Sequence, residues 1–266
     1  MSNLQIKPTG AALGAHVDGV DLSEPLSEMD TLYIQGAFWE HSVLIFRGQE
    51  LTEAQQVSFS RELCDPVAHP TNKRNVGQLP EICVIANVEE DGQQAGALGN
   101  DEVGFHADLA FLPRPGSVST LYAVEAPSDS GLTSWASGIA AHDALEADAL
   151  GRLEPIKVTY THARTDYRSD VPVIHPLVCS HPESGRRTIY FSANHAAGVA
   201  GVDKAEGAAL IDRRKAYTTE DRFVWTHAWE PGDLVFWDNR STQHHRSPVE
   251  KTTRRLMRRT QAVGFP

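Results

Sequence analysis

The stretch RFVWTHAW (222–229), EPG (230–232), DLVFWD (233–238), NRSTQHHRS (239–247) decides the fold. Two runs rich in aromatic and β-branched residues, each too short for a core helix, flank a Pro-Gly turn. That is the pattern of paired strands, with the turn residues supplying the special backbone angles. The pattern recurs upstream in SVLIF (42–46), ICVIANV (82–88), SVSTLYAVEA (117–126), KVTYTHA (157–163), VIHPLVCS (173–180) and TIYFS (188–192), and downstream over 254–263. HPESGRR (181–187) reads as a further turn, and 89–104 as a polar, Gly-rich loop. Helices are expected from Thr52 to about Leu63, near Ser137 and near Asp203; Thr52 with Gln55, and Asp203 with Glu206, have the spacing of capping boxes. Many short strands without regular βα alternation predict an antiparallel sandwich or jelly roll with helices outside. No GxGxxG follows a strand, which argues against a dinucleotide-binding fold.

The 266 residues, 41% hydrophobic and 22% charged, can build a sizeable core. This excludes a disordered or collagen-like chain. No apolar run approaches the roughly 18–20 residues of a membrane span, and MSNLQIKPTG lacks the pattern of a signal peptide. A cytoplasmic protein is expected. The net charge of −11 argues against nucleic acid as a partner. Cys64, Cys83 and Cys179 are widely spaced and fit reduced thiols. With no internal repeat or linker, residues 1–266 are expected to form a single domain.

Three His-x-carboxylate pairs occur: His16/Asp18, His106/Asp108 and His181/Glu183. On a strand, residues i and i+2 share a face, so each pair could offer an imidazole and a carboxylate to a metal. Three occurrences show how unspecific the spacing is, and a surface histidine beside an acid is the commoner situation. His181/Glu183 falls in a turn. His106/Asp108 stands apart because it leaves a long polar loop ahead of a strand, where a site can face a barrel mouth. Two histidines and one carboxylate leave three open positions on Fe(II).

Arg254, Arg255, Arg258 and Arg259 crowd the C-terminal segment. On a strand, Arg255, Met257 and Arg259 share one face and Arg254, Leu256 and Arg258 the other. One reading is an exposed edge strand with salt bridges. The other is a pair of inward carboxylate clamps, since buried guanidinium groups need anions.

Together, FHAD (105–108), GLTSW (131–135), GDLVFWDNRSTQH (232–244) and RLMRR (255–259) resemble the Fe(II)/2-oxoglutarate dioxygenases of the taurine and 2,4-dichlorophenoxyacetate dioxygenase family. The resemblance extends to LGAHVDGVDLSEPL (13–26) and SVLIFRGQ (42–49). It implies a mainly β fold with flanking helices, a double-stranded β-helix or distorted jelly roll. It implies that His106, Asp108 and His244 hold Fe(II), with His245 ranked second because it would project to the opposite strand face. Thr133 and Arg255 match the residues that hold the far carboxylate of 2-oxoglutarate. Arg259 and His69 of DPVAHP (65–70) match residues that meet the substrate. The cofactors implied are Fe(II), 2-oxoglutarate and O2.

The partner implied is a small organic anion that is hydroxylated or oxidatively cleaved with release of succinate and CO2. No nucleic acid and no membrane is expected, and a homo-oligomer is left open. Glu102 stands where the taurine branch has a neutral amide, and could pair with Arg259. His195 could reach the pocket or fill the sheet. The retained Asp108 argues against a halogenase. The competing class is a non-catalytic or hydrolytic zinc-binding, cupin-like jelly roll, which would use the three ligands but leave Arg255 and Thr133 without a purpose.

Overall fold

A computed structural model describes residues 3–69, 77–90, 93–94 and 96–264. An eight-stranded sheet runs in the order Gln5–Pro8, Ala15–Asp18, Val43–Phe46, Leu234–Asp238, Gly116–Glu125, Leu256–Val263, Cys83–Ala86, Ala97–Leu98. A second sheet of four strands runs Val224–His227, Thr133–Ser137, Thr242–Arg246, Val103–His106. Side chains of both sheets meet in one apolar core, where Trp135 and Trp229 join Val43, Ile45, Val235, Trp237 and Met257. This is the distorted jelly roll, mainly β with flanking helices, that the sequence predicts.

The apolar runs earn their places by being covered on both faces. In Leu234–Asp238, Val235 and Trp237 enter the core between the sheets, whereas Leu234 and Phe236 pack outward with Phe38 and Phe59. Those two rings come from the helices Glu28–His41 and Glu53–Leu63. Helix Glu53–Leu63 opens on the complete Thr52/Gln55 capping box. At Lys204–Thr218, Asp203 accepts from the backbone N–H groups of Ala205 and Glu206. Ser137 caps a short helix, Gly138–Asp143. These later helices pack in a separate apolar cluster with the strands Lys157–Tyr160 and Val173–Pro176.

Several expectations change in detail. VIHPLVCS divides into Val173–Pro176 and Val178–Ser180, because Leu177 turns its N–H to Ile156 and its C=O to Tyr190. The segment 89–104 is less loop-like than predicted. It holds a two-residue hairpin, Glu89–Glu90 with Gln93–Gln94, and the strand Val103–His106; its residues 91, 92 and 95 lie outside the described residues, as does Pro70 of DPVAHP.

The C-terminal strand is central in its sheet, between Gly116–Glu125 and Cys83–Ala86, so it is not the exposed edge that salt-bridged arginines would mark. The arginines divide by face. Exposed Arg254 forks onto half-buried Glu125, and Arg258 lies over the Tyr122 ring at 4.7 Å. Arg255 and Arg259 flank the fully buried Met257 on the inner face.

His181/Glu183 proves to be a structural pair. His181 Nε2 donates to Asp238 Oδ2 at 2.6 Å, and Arg240 Nε donates to Asp238 Oδ1 at 2.9 Å. Burial alone would raise the Asp238 carboxyl, but the His181 hydrogen bond and the Arg240 charge reverse this and bring it down to about 2, from 3.8. The stabilisation is therefore complete above the unfolded value and lost as pH falls toward 2, an effect of about 2 kcal/mol. Asp238→Asn should melt below the wild type at neutral pH, with the gap closing as pH falls from about 4 toward 2. Melting curves for both proteins check this, and a pH-independent gap would contradict it.

Candidate metal and cofactor site

His106 ends the strand Val103–His106, and its direct antiparallel partner is His244 of Thr242–Arg246. Cross-strand partners share a face, so the two rings lie 4.1 Å apart between centroids. Asp108, two residues on, brings Oδ1 to 3.8 Å from each Nε2. The three ligand atoms lie within 4.8 Å of one another. Such a set, one carboxylate and two imidazoles on one side of a pocket, fits a divalent metal with open positions.

The surroundings fix the chemical state of each group. His106 Nδ1 donates to Gly104 O at 2.9 Å, which leaves the Nε2 lone pair facing the site. Burial lowers the pKa of both imidazoles, most strongly at His244, and keeps them neutral, as metal ligation requires. Burial raises the Asp108 carboxyl, but Arg259, His244, His106 and the Ser119 hydroxyl together hold it below the usual carboxylate range. Ser119 Oγ donates to Asp108 Oδ2 at 2.7 Å. Asn239 Oδ1 accepts from both the Asp108 N–H at 3.0 Å and Trp237 Nε1 at 3.1 Å. The sequence reading passed over Ser119 and Asn239; Asn239 lies within the quoted WDN run, but no spacing rule ties it to Asp108.

Arg259 Nη1 donates to Asp108 Oδ1 at 3.2 Å. Its carboxylate partner is thus Asp108 and not Glu102. Glu102 instead accepts from His245 Nε2 at 2.6 Å, on an exposed flank where Phe105 stacks on the His245 ring. His245 is turned away from Asp108, as its strand position predicts. The His69 pKa is lowered to about 4, chiefly by burial and then by the Arg259 charge, which places it near that guanidinium. His195 reaches the site: its ring is edge-on to His106 at 5.7 Å, next to Phe111, and Nδ1 meets Ser192 Oγ at 2.9 Å. Burial, then the neighbouring His106 and His162, bring its pKa to about 3. His16 pairs edge-on with Trp225, and Asp18 takes Lys7; neither joins the cluster.

Arg255 is 2% exposed, and its side chain makes no hydrogen bond or ion pair among the described residues. A Cβ on Gly131 would come within 3.0 Å of its Cδ, so this glycine gives the guanidinium stem its room. Thr133, two residues on, is buried, and its Oγ1 accepts from Trp229 Nε1 at 2.9 Å. With that lone pair engaged, the Thr133 hydroxyl is left as a donor. Trp229 joins Ser119 and Asn239 as a supporting residue that the sequence did not single out.

The fold and this constellation together define a class, and comparison with known proteins agrees. The model of the taurine catabolism dioxygenase TauD, TfdA family matches residues 5–261, and the chain belongs to that family. A 2,4-dichlorophenoxyacetate dioxygenase of Cupriavidus pinatubonensis, named as alpha-ketoglutarate-dependent, is 34% identical over 95% of this chain and 95% of its own. An (S)-phenoxypropionate/alpha-ketoglutarate-dioxygenase of Sphingobium herbicidovorans is 30% identical over 98% and 95%. The crystal structure of a taurine dioxygenase from Burkholderia xenovorans superposes with a TM-score of 0.84 at 29% identity, covering 98% of this chain and 89% of that one. The protein is a 2-oxoglutarate-dependent dioxygenase, and its chemistry calls for 2-oxoglutarate, O2 and a metal ion. The non-catalytic zinc reading is thereby set aside. No helix among the described residues is long and apolar enough to cross a membrane.

Proposed function

We propose that the protein oxidises a small organic anion at a carbon held beside Fe(II), with His106, Asp108 and His244 as the metal ligands. The observation that carries the reading is Arg255, a buried guanidinium with no counter-charge among the described residues, in a chain whose triad already fits a metal. Its partner is the far carboxylate of 2-oxoglutarate, received together with the Thr133 hydroxyl. When bound, the metal supplies oxygen activation: substrate, 2-oxoglutarate and O2 become oxidised product, succinate and CO2, with one oxygen atom entering succinate and one the substrate. A hydroxylated carbon next to a heteroatom would then break down, which is how the same site cleaves.

The chain's own residues bind and orient. The Gly104 carbonyl and the Ser119 and Asn239 side chains hold the ligands in position, and the neutral imidazoles require no proton to leave on metal binding. Arg259 reaches Asp108 with one nitrogen and retains donors for a substrate anion, with His69 beside it. An anionic substrate is further supported by relatives named for 2,4-dichlorophenoxyacetate, phenoxypropionate and sulfate esters. We treat residues 1–266 as one catalytic unit, in keeping with a family match over 5–261. A cytoplasmic setting is favoured by three free cysteines.

The test is a panel of matched anionic, neutral and amine-bearing compounds, read as succinate released per substrate consumed. The anionic members should couple best, and Arg259→Ala should weaken their binding by about tenfold or more while succinate release becomes uncoupled. Best coupling with a neutral or cationic compound, unchanged in Arg259→Ala, would refute the anion assignment.

A further inference from the structure

We infer that Arg246 supplies a second guanidinium to the subsite that receives the far carboxylate of 2-oxoglutarate, opposite Thr133 and beside Arg255. The inference rests on the cofactor subsite proposed above. Arg246 is the direct antiparallel partner of Thr133, as His244 is of Trp135. In this register Thr133, Trp135, His244 and Arg246 share the inner face, while Ser134 and His245 share the outer one. The residue is 6% exposed, and its Nε is buried without a hydrogen-bond partner among the described residues, as is that of Arg255. Among the described residues only Nη2 is engaged, by the backbone carbonyls of Leu98 and Asp101.

Arg246 also bears on Arg255 electrostatically. Burial, and then the nearby Arg246 charge, bring the Arg255 pKa down to about 9. No carboxylate among the described residues forms an ion pair with either group. Asp101, the acid nearest Arg246 in electrostatic terms, is exposed and offers its backbone carbonyl. Two desolvated like charges side by side are costly, and a shared anion offsets that cost. A carboxylate has lone pairs enough for two guanidinium groups and one hydroxyl, and Arg246, Arg255 and Thr133 present that set. The subsite therefore selects a dicarboxylic 2-oxo acid over one that ends in a methyl group.

The experiment titrates the Fe(II)-loaded protein without oxygen, by calorimetry, with 2-oxoglutarate and with 2-oxopentanoate, which replaces the far carboxylate by a methyl. The quantity read is the preference, the ratio of the two dissociation constants. Arg246→Gln should reduce that preference by about tenfold or more, with 2-oxopentanoate binding within about twofold of wild type. Arg246→Lys keeps a charge but lacks the planar fork and should give an intermediate preference. Equal weakening of both acids, or no change in either, would show that Arg246 only ties down the 98–101 segment and would overturn the inference. Should Arg246→Gln fail to fold, the lysine variant decides, and a wild-type preference there counts against the inference. Arg255→Gln separates the two levels: if it leaves the preference intact, the cofactor subsite itself is misplaced.

Discussion

Asp108→Ala, like His106→Ala and His244→Ala, abolishes succinate release. The expected loss is complete, because a three-ligand face with one member removed no longer holds its metal in a defined geometry. The direct measurement is the visible charge-transfer band that Fe(II) and 2-oxoglutarate give when mixed without oxygen. All three variants should lack it. Asp108→Ala should also lower the melting temperature, because Arg259 loses the carboxylate it meets at 3.2 Å and stays buried as an unpaired charge. His244→Ala leaves no such orphan and should melt near the wild type. His245→Ala and His16→Ala are the controls, since both side chains lie off the triad. Activity lost in His245→Ala and kept in His244→Ala would place the metal on the wrong histidine.

The second large effect belongs to Arg255. Truncation to alanine removes a buried contact to a carboxylate, worth on the order of 2–5 kcal/mol, so the KM for 2-oxoglutarate should rise at least about thirtyfold. The substrate requirement should move far less, which distinguishes this variant from Arg259→Ala. Truncation also removes a desolvated charge, so the 2-oxoglutarate-free protein should be no less stable, and melting curves taken with and without cofactor will show whether the stabilising increment has gone. A substrate defect of the same size as the cofactor defect would mean that the two arginines do not divide their work.

What the sequence could disclose depended on how local the physics was. Val43–Phe46 and Leu234–Asp238 were legible because burial on both faces leaves an unbroken apolar run. Helix Glu28–His41 was not: Ile34, Ala37 and Phe38 are buried, but Met29, Leu32 and Tyr33 are exposed, so no clean helical period survives. The clustering of His106, Asp108 and His244 was legible through a resemblance that supplied the distant His244; the i,i+2 spacing alone fitted two other pairs equally well. Partners across the fold stayed hidden. Nothing in the local sequence tells that Glu102 will meet His245, that Arg259 will meet Asp108, or that Asn239 will carry the Asp108 backbone. Each of these depends on strand order and register. Arg246 escaped notice for the same reason, since its significance comes from lying opposite Thr133.

The position of Arg255 and Arg259 on one face of one strand has a consequence for how far the enzyme's tastes can drift. Four residues of extended chain separate their Cα atoms by about 13 Å. The strand is clamped on both sides by neighbours in an eight-stranded sheet. That interval works as a gauge block machined into the frame, and no change in a surface segment can lengthen or shorten it. On the roles proposed for these two arginines, a new substrate has to bring its anchoring group to the Arg259 end of this gauge, whatever its remaining bulk. The rings of His162, Phe111 and His195, which pack on one another beside His106, lie off this strand and can be recut without disturbing the measure.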